Sequence, residues 1–249
     1  AGNALGQAFF SLSLGMGMLI TYGSYINDDN NIISSATLIT LTDVGIAFLA
    51  GLIVFPFVFS SGIETQGGPG LIFQVFPQIF QELGGLTGII IGSTFFILLS
   101  FAAITSTVSL LEVPVSYLVD EYKIERKYSV WIVAIVILLI GIPSVFSQGK
   151  SIFFSEFITY FGSEKPIDFM QFIIDVSNDT LLPFGGFMIT IYVAYIWKKN
   201  NLTEEISKGN PKYKGSLMEK YINFSITYIC PLILGSIFLL TFLNKFFGI

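Results

Sequence analysis

Gly6-Gln7-Ala8-Phe9-Phe10-Ser11-Leu12-Ser13-Leu14-Gly15-Met16-Gly17, followed by Met18-Leu19-Ile20-Thr21-Tyr22-Gly23-Ser24-Tyr25, is the stretch on which the fold turns. It is long and apolar enough to cross a bilayer, which takes about 20 residues. Yet it carries two glycines around one methionine, beside two serines. Glycine inside a helix costs about 1 kcal/mol relative to alanine, so Gly15-Met16-Gly17 predicts an unwinding point. Unpaired backbone at membrane depth is tolerated only where it faces protein or a water-filled cavity. Broken helices of this kind present backbone groups to ions and substrates in transporters. Close helix packing through small residues explains the same glycines about equally well on composition alone.

The rest of the chain supports a membrane reading. Of its 249 residues 53% are hydrophobic and 12% charged, and mean hydropathy is +0.77. Soluble domains carry about 25% charge. Six apolar segments are predicted to span: 4–26, 40–63, 87–119, 129–147, 169–197 and 221–243. The third is too long for a bilayer and is expected to project beyond it. Between the second and third, Gln66-Gly67-Gly68-Pro69-Gly70 precedes a short amphipathic run, 71–83, read as a loop helix within an extracellular loop 64–86. The chain reads as a single transmembrane domain, 1–249.

Basic residues set the orientation. Lys123, Arg126 and Lys127 fall in the loop 120–128; Lys198, Lys199, Lys208, Lys212, Lys214 and Lys220 fall in the loop 198–220. Two spans separate these loops, so both are expected to be cytoplasmic; only Lys150, Lys165 and Lys245 lie opposite.

Several functions are excluded by composition. With no histidine, a His-based metal site and a His proton relay are ruled out, and the single Cys230 supports neither a disulfide framework nor a cysteine metal site. No basic stripe suits nucleic acid. No set of nucleophile, base and orienting group suggests an enzyme, and no ring of repeated carbonyls or charges suggests a channel.

Three acids fall in or at the ends of the spans. Asp43 is open to two readings, a ligand or a helix N-cap. Glu112 reads better as a structural partner of a basic or hydroxyl group near the inner face than as an ion ligand. Asp175 lies near the outer end of the fifth span. Ala102-Ala103-Ile104-Thr105-Ser106-Thr107-Val108-Ser109 is a hydroxyl-rich run whose oxygens could serve a hard cation, although such hydroxyls commonly bond within their own helix.

Taken in order, Gly6-Gln7-Ala8-Phe9-Phe10-Ser11-Leu12-Ser13-Leu14-Gly15-Met16-Gly17, Ala50-Gly51-Leu52-Ile53-Val54-Phe55-Pro56, Gly68-Pro69-Gly70-Leu71-Ile72-Phe73, Thr105-Ser106-Thr107-Val108-Ser109-Leu110-Leu111-Glu112 and Leu181-Leu182-Pro183-Phe184-Gly185-Gly186 resemble the neurotransmitter:sodium symporter family, specifically its bacterial amino-acid transporters. The resemblance covers nearly the whole chain and corresponds to the family's helices 6 to 11. It implies an all-α membrane protein: the second inverted repeat of the leucine-transporter fold plus one helix, with the first five helices absent. The start at Ala1, without an initiator Met, fits a partial transporter.

The resemblance also implies roles. Substrate-binding residues would be Phe10, Ser13, Leu14, Gly15, Met16, Gly17, Ser106 and Leu110, with Phe10 as an aromatic lid. Sodium ligands would be Ser11 and Asp43 at one site, and Ala102, Thr105 and Ser106 at the other. Thr42 remains an alternative to Asp43. The outer gate would be Phe10 with Asp175, while Asp168 and Asp179 are further candidates. The implied function is sodium-coupled symport of a small neutral, apolar or aromatic, amino acid across a bacterial cytoplasmic membrane. Two sodium ions would serve as cofactors. Asp43 suggests that chloride is not required. The implied partners are the amino acid, sodium, the lipid bilayer and the missing N-terminal half. The alternative is a non-transporting fragment or scaffold subunit that needs that half.

Overall fold

A computed structural model describes residues 2–60, 71–149, 151–161 and 165–248, with backbone alone at 2–5, 57 and 60. The motif Gly68-Pro69-Gly70, the start of the loop 64–86 and Lys150 lie outside the described residues. The chain is nearly all helical. Its elements are α1 (Gly2–Ser11), α2 (Met18–Gly23), α3 (Ile32–Ser60), α4 (Phe76–Glu82), α5 (Gly85–Asp120), α6 (Arg126–Phe146) and α7 (Ile152–Ser155). They continue with α8 (Phe169–Ile174), α9 (Leu182–Ile191), α10 (Lys199–Gly209), α11 (Leu217–Phe224) and α12 (Cys230–Phe247). Wider π-helical turns, Asp175–Leu181 and Tyr192–Lys198, follow α8 and α9, Ser225–Ile229 joins α11 to α12, and Lys198 (φ 72°) breaks the helical backbone just before α10. Such turns interrupt the regular ladder and commonly mark functional positions.

Five helices among the described residues are long and apolar enough to cross a membrane: Ile32–Pro56, Gly85–Asp120, Arg126–Phe146, Phe169–Gly209 and Leu217–Phe247. The first predicted span, 4–26, is divided between α1 and α2 and passes the length test with neither half. With its 36 residues, α5 is about 54 Å long at 1.5 Å per residue, as its overlong apolar run predicted.

Two boundaries differ from the sequence reading. The second span begins at Ile32, well before 40, because Asn31 caps it: its Oδ1 accepts the Ser34 backbone N–H at 3.2 Å. Asp43 therefore sits inside α3, and its N-cap reading is discarded. The polar stretch 198–220, read as a loop, is helical over most of its length. After Lys198 the chain continues as α10, and α11 begins at Leu217, where the Ser216 side chain accepts from Glu219 N. Charged surface made 198–220 look like a connection, but exposed helix extensions are equally polar.

By packing, the chain divides into two units, residues 1–36 with 111–249, and residues 37–110. In the first, Phe9, Leu182 and Leu234 form a core with Leu14, Met16, Phe187 and Cys230 against it. In the second, Val58, Val75, Phe76 and Ile79 form the core, flanked by Val54, Leu71, Phe80 and Phe95. The short helix α4 belongs to that core, and Phe76 meets Phe95 edge-to-face at 4.9 Å.

Candidate functional site

The break between α1 and α2 has a defined geometry. Leu14 N donates to Phe9 O at 2.9 Å and Ser13 N to Phe10 O at 3.1 Å. These are the paired bonds of a Schellman helix stop, with Ser13 at the left-handed position (φ 54°). The apolar contact such a stop favours is present, since Leu14 packs on the core around Phe9. Glycine is the usual residue there; a side chain in the left-handed region costs about 1–2 kcal/mol. Gly15 (φ 84°) and Gly17 (φ 80°) are left-handed as well. The backbone of residues 12–17 is thus held out of helical register by three left-handed residues. The chain resumes as helix when Thr21 N donates to Gly17 O at 2.9 Å.

The opposing surface explains Leu182-Pro183-Phe184-Gly185-Gly186. A Cβ on Gly15 would run into the Leu182 carbonyl oxygen and lie 2.8 Å from Gly186 N. One on Gly185 would lie 2.5 Å from Gly15 O, and one on Gly186 would lie 2.7 Å from Phe9 Cε1. The unwound stretch therefore packs backbone to backbone on α9 through Gly15 and Gly185, while Gly186 makes room for the Phe9 ring of α1. On one side of this junction, a cavity of about 280 Å³ is lined by Phe9, Ser13, Leu14, Leu19, Thr190 and Cys230, among others.

A second cavity, of about 700 Å³, lies between α1, the turn Asp175–Leu181 and α12; Gln7, Phe10, Asp179 and Lys245 line it. Phe10 is 47% exposed there. Beside the cavity sits an ion cluster. Asp175 is 1% exposed; its carboxylate accepts from Gln171 Nε2 at 2.7 Å and Tyr160 Oη at 3.2 Å. It also pairs with Lys245 Nζ at 2.8 Å. The same ammonium reaches Asp179 Oδ2 at 3.1 Å. Burial, then the negative charge of Asp175, raises the pKa of Tyr160 above its ordinary value, so the phenol stays a donor. Asp168 is committed elsewhere: its side chain accepts Gln171 N at 2.8 Å and caps α8. Lys245 was counted only as a charge in the sequence, and nothing local marked it as a partner of residues 66 and 70 positions away.

Glu112 has the structural partners expected of it. Arg126 Nη1 and Nη2 donate to its two oxygens at 2.9 and 2.6 Å, and Tyr25 Oη donates to Oε1 at 2.9 Å. Glu112→Gln, which cannot accept this fork, is expected to cost about 1–2 kcal/mol after allowing for the exposure of Arg126. Thermal unfolding checks it: Arg126→Met should add little to Glu112→Gln if the two side chains act as one pair.

The remaining candidates lie in the other unit. Thr105 Oγ1 donates to Ala102 O at 2.9 Å and Phe101 O at 3.1 Å. This brings two predicted sodium oxygens, the Ala102 carbonyl and the Thr105 hydroxyl, side by side on α5. Ser106 and Leu110 are exposed further along the same helix, and Asp43 is partly exposed on α3. Ser11 and residues 13–17 belong to the first unit, whereas Asp43, Ala102, Thr105, Ser106 and Leu110 belong to the second.

Comparison with known proteins covers the same ground. The model of the sodium:neurotransmitter symporter family matches residues 2–246. The uncharacterized sodium-dependent transporter YhdH of Bacillus subtilis is 34% identical over 236 residues, which is 95% of this chain and 50% of that protein. An uncharacterized sodium-dependent transporter of Haemophilus influenzae is 33% identical, over 94% of this chain and 48% of its own length. Among solved structures, MhsT in complex with L-phenylalanine superposes with a TM-score of 0.82 at 36% identity, over 95% of this chain and 50% of MhsT. The chain spans about half the length of the curated relatives it matches. With its helices in family order and its broken first helix, this chain belongs to the sodium:neurotransmitter symporter family.

Proposed function

We propose that this chain forms part of a sodium-coupled symporter for a small neutral amino acid, apolar or aromatic, in a bacterial cytoplasmic membrane. The observation that carries this reading is the unwound backbone at residues 12–17, docked on α9 between two half-helices. Backbone held out of helical register there suits the amino and carboxylate groups of a zwitterion, and Met16 supplies an adaptable apolar wall. Phe10 would close over the bound substrate. Ser11 and Asp43 would serve one sodium ion, and the Ala102 carbonyl with Thr105 and Ser106 the other. Ser106 and Leu110 would also border the substrate. Residues outside this sequence would complete both sodium sites and the substrate pocket, so transport would be a property of the longer protein. The single-domain organisation is also proposed, with 120–128 and 198–220 cytoplasmic and the 64–86 loop outside. The bound L-phenylalanine of MhsT, a neutral aromatic amino acid, supports the substrate class.

Sodium drives uptake only by binding the substrate-competent state better than the other. Uptake of a panel of labelled amino acids into vesicles containing the complete protein tests the proposal. Apolar or aromatic substrates should accumulate with an inward sodium gradient, and uptake indifferent to sodium would overturn it.

Asp43 places a carboxylate in α3, where it would lie beside the first sodium. A fixed negative charge there removes the need for a mobile anion, so we expect transport without chloride. Replacing chloride by gluconate should leave the uptake rate within about twofold; a collapse to background would contradict the assignment.

A further inference from the structure

One ammonium, Lys245, is shared between two carboxylates that differ sharply in exposure. Asp175 is 1% exposed and its oxygens are engaged by Lys245, Gln171 and Tyr160. Asp179 has a side chain 38% exposed and lines the cavity of about 700 Å³ together with Gln7, Phe10, Asn178 and Lys245. A carboxylate that is desolvated and held by three donors is not released cheaply, because separating it from its ammonium leaves an uncompensated buried charge. A half-exposed carboxylate loses far less on exchanging its partner.

We propose that Lys245 is a positioning residue: it keeps Asp175 sequestered in the protein and leaves Asp179 as the carboxylate that faces the cavity. In place of the outer-gate role that the resemblance implies for it, Asp175 then anchors the last turn of α12 to the Asp175–Leu181 turn, while Asp179 sets the sign of the cavity. With Asp175 and Asp179 against one Lys245, the triad carries one net negative charge, which biases the cavity towards cationic groups. This deepens the transport reading by naming the residue that an entering cation or substrate ammonium meets beside Phe10. The readout below depends on the cavity alone, so its failure is distinguishable from a failure of transport.

The test uses the complete protein in vesicles, with Cys230 and any other cysteines replaced by serine. Asp179→Cys should react with a cationic methanethiosulfonate at least tenfold faster than Asp175→Cys. Equal rates, or faster reaction at position 175, would overturn the proposal. A second reporter, Gln7→Cys, keeps both carboxylates. At that position the ratio of cationic to anionic reagent rates should fall several-fold on Asp179→Asn and rise on Lys245→Met, while Lys245→Arg leaves it at the starting value. A ratio that neither Asp179→Asn nor Lys245→Met changes would contradict the assignment, even if the Asp175 variant fails to fold.

Discussion

Gly15→Ala is expected to abolish sodium-dependent uptake, with a loss of at least 100-fold. Two independent costs fall on the same methyl group. Its backbone would have to keep φ at 84°, which is worth about 1–2 kcal/mol for a residue with a side chain. Its Cβ would also meet the Leu182 carbonyl and stand 2.8 Å from Gly186 N. These are backbone atoms of α9, so no rotamer change relieves the contact, and the unwound stretch must lift away from the helix it docks on. Gly23→Ala is the control, because a Cβ there has nothing within 4 Å. Uptake and the yield of folded protein should be measured together. A folded Gly15→Ala protein with normal uptake would show that the close approach to α9 has no part in transport.

Thr105→Ala should raise the sodium concentration needed for half-maximal uptake by at least tenfold, whereas Thr105→Ser should stay within about threefold. The hydroxyl donates its proton to the Ala102 and Phe101 carbonyls, which leaves the oxygen lone pairs free for a cation. On the proposed assignment, removing it deletes one sodium ligand and the hydrogen bond that the Ala102 carbonyl accepts from it. A hydroxyl that served only its own helix would give a small change in stability and none in sodium dependence. Sodium titration of uptake separates the two outcomes.

Much of this architecture was legible in the residues themselves. The break at Gly15-Met16-Gly17 was visible because glycines at that spacing have no other reason to sit in an apolar span than packing or unwinding. The structure answers with both. Gly15 and Gly17 supply the left-handed backbone, and Gly15 with Gly185 supplies the close approach to α9. The pairing of Glu112 was also legible in kind, because a lone acid in a span calls for a partner; which partner was not, since Tyr25 and Arg126 come from different elements. Ser13 as a helix stop was not legible, because serine gives no left-handed signal. The capping of α3 by Asn31 was masked by the more prominent Thr42-Asp43. Lys245 was missed for a different reason. Its importance comes from desolvation of Asp175, which depends on tertiary packing and leaves no mark in local sequence.

The most direct test is equilibrium binding of a labelled apolar or aromatic amino acid, such as L-phenylalanine, to the purified complete protein. The titration is run in sodium and again in potassium. Saturable binding at least tenfold tighter in sodium, abolished by Gly15→Ala and weakened by Thr105→Ala, is the result expected. Affinities that are equal in the two salts, or binding that survives Gly15→Ala unchanged in a folded protein, would contradict a sodium-coupled site built on the unwound stretch.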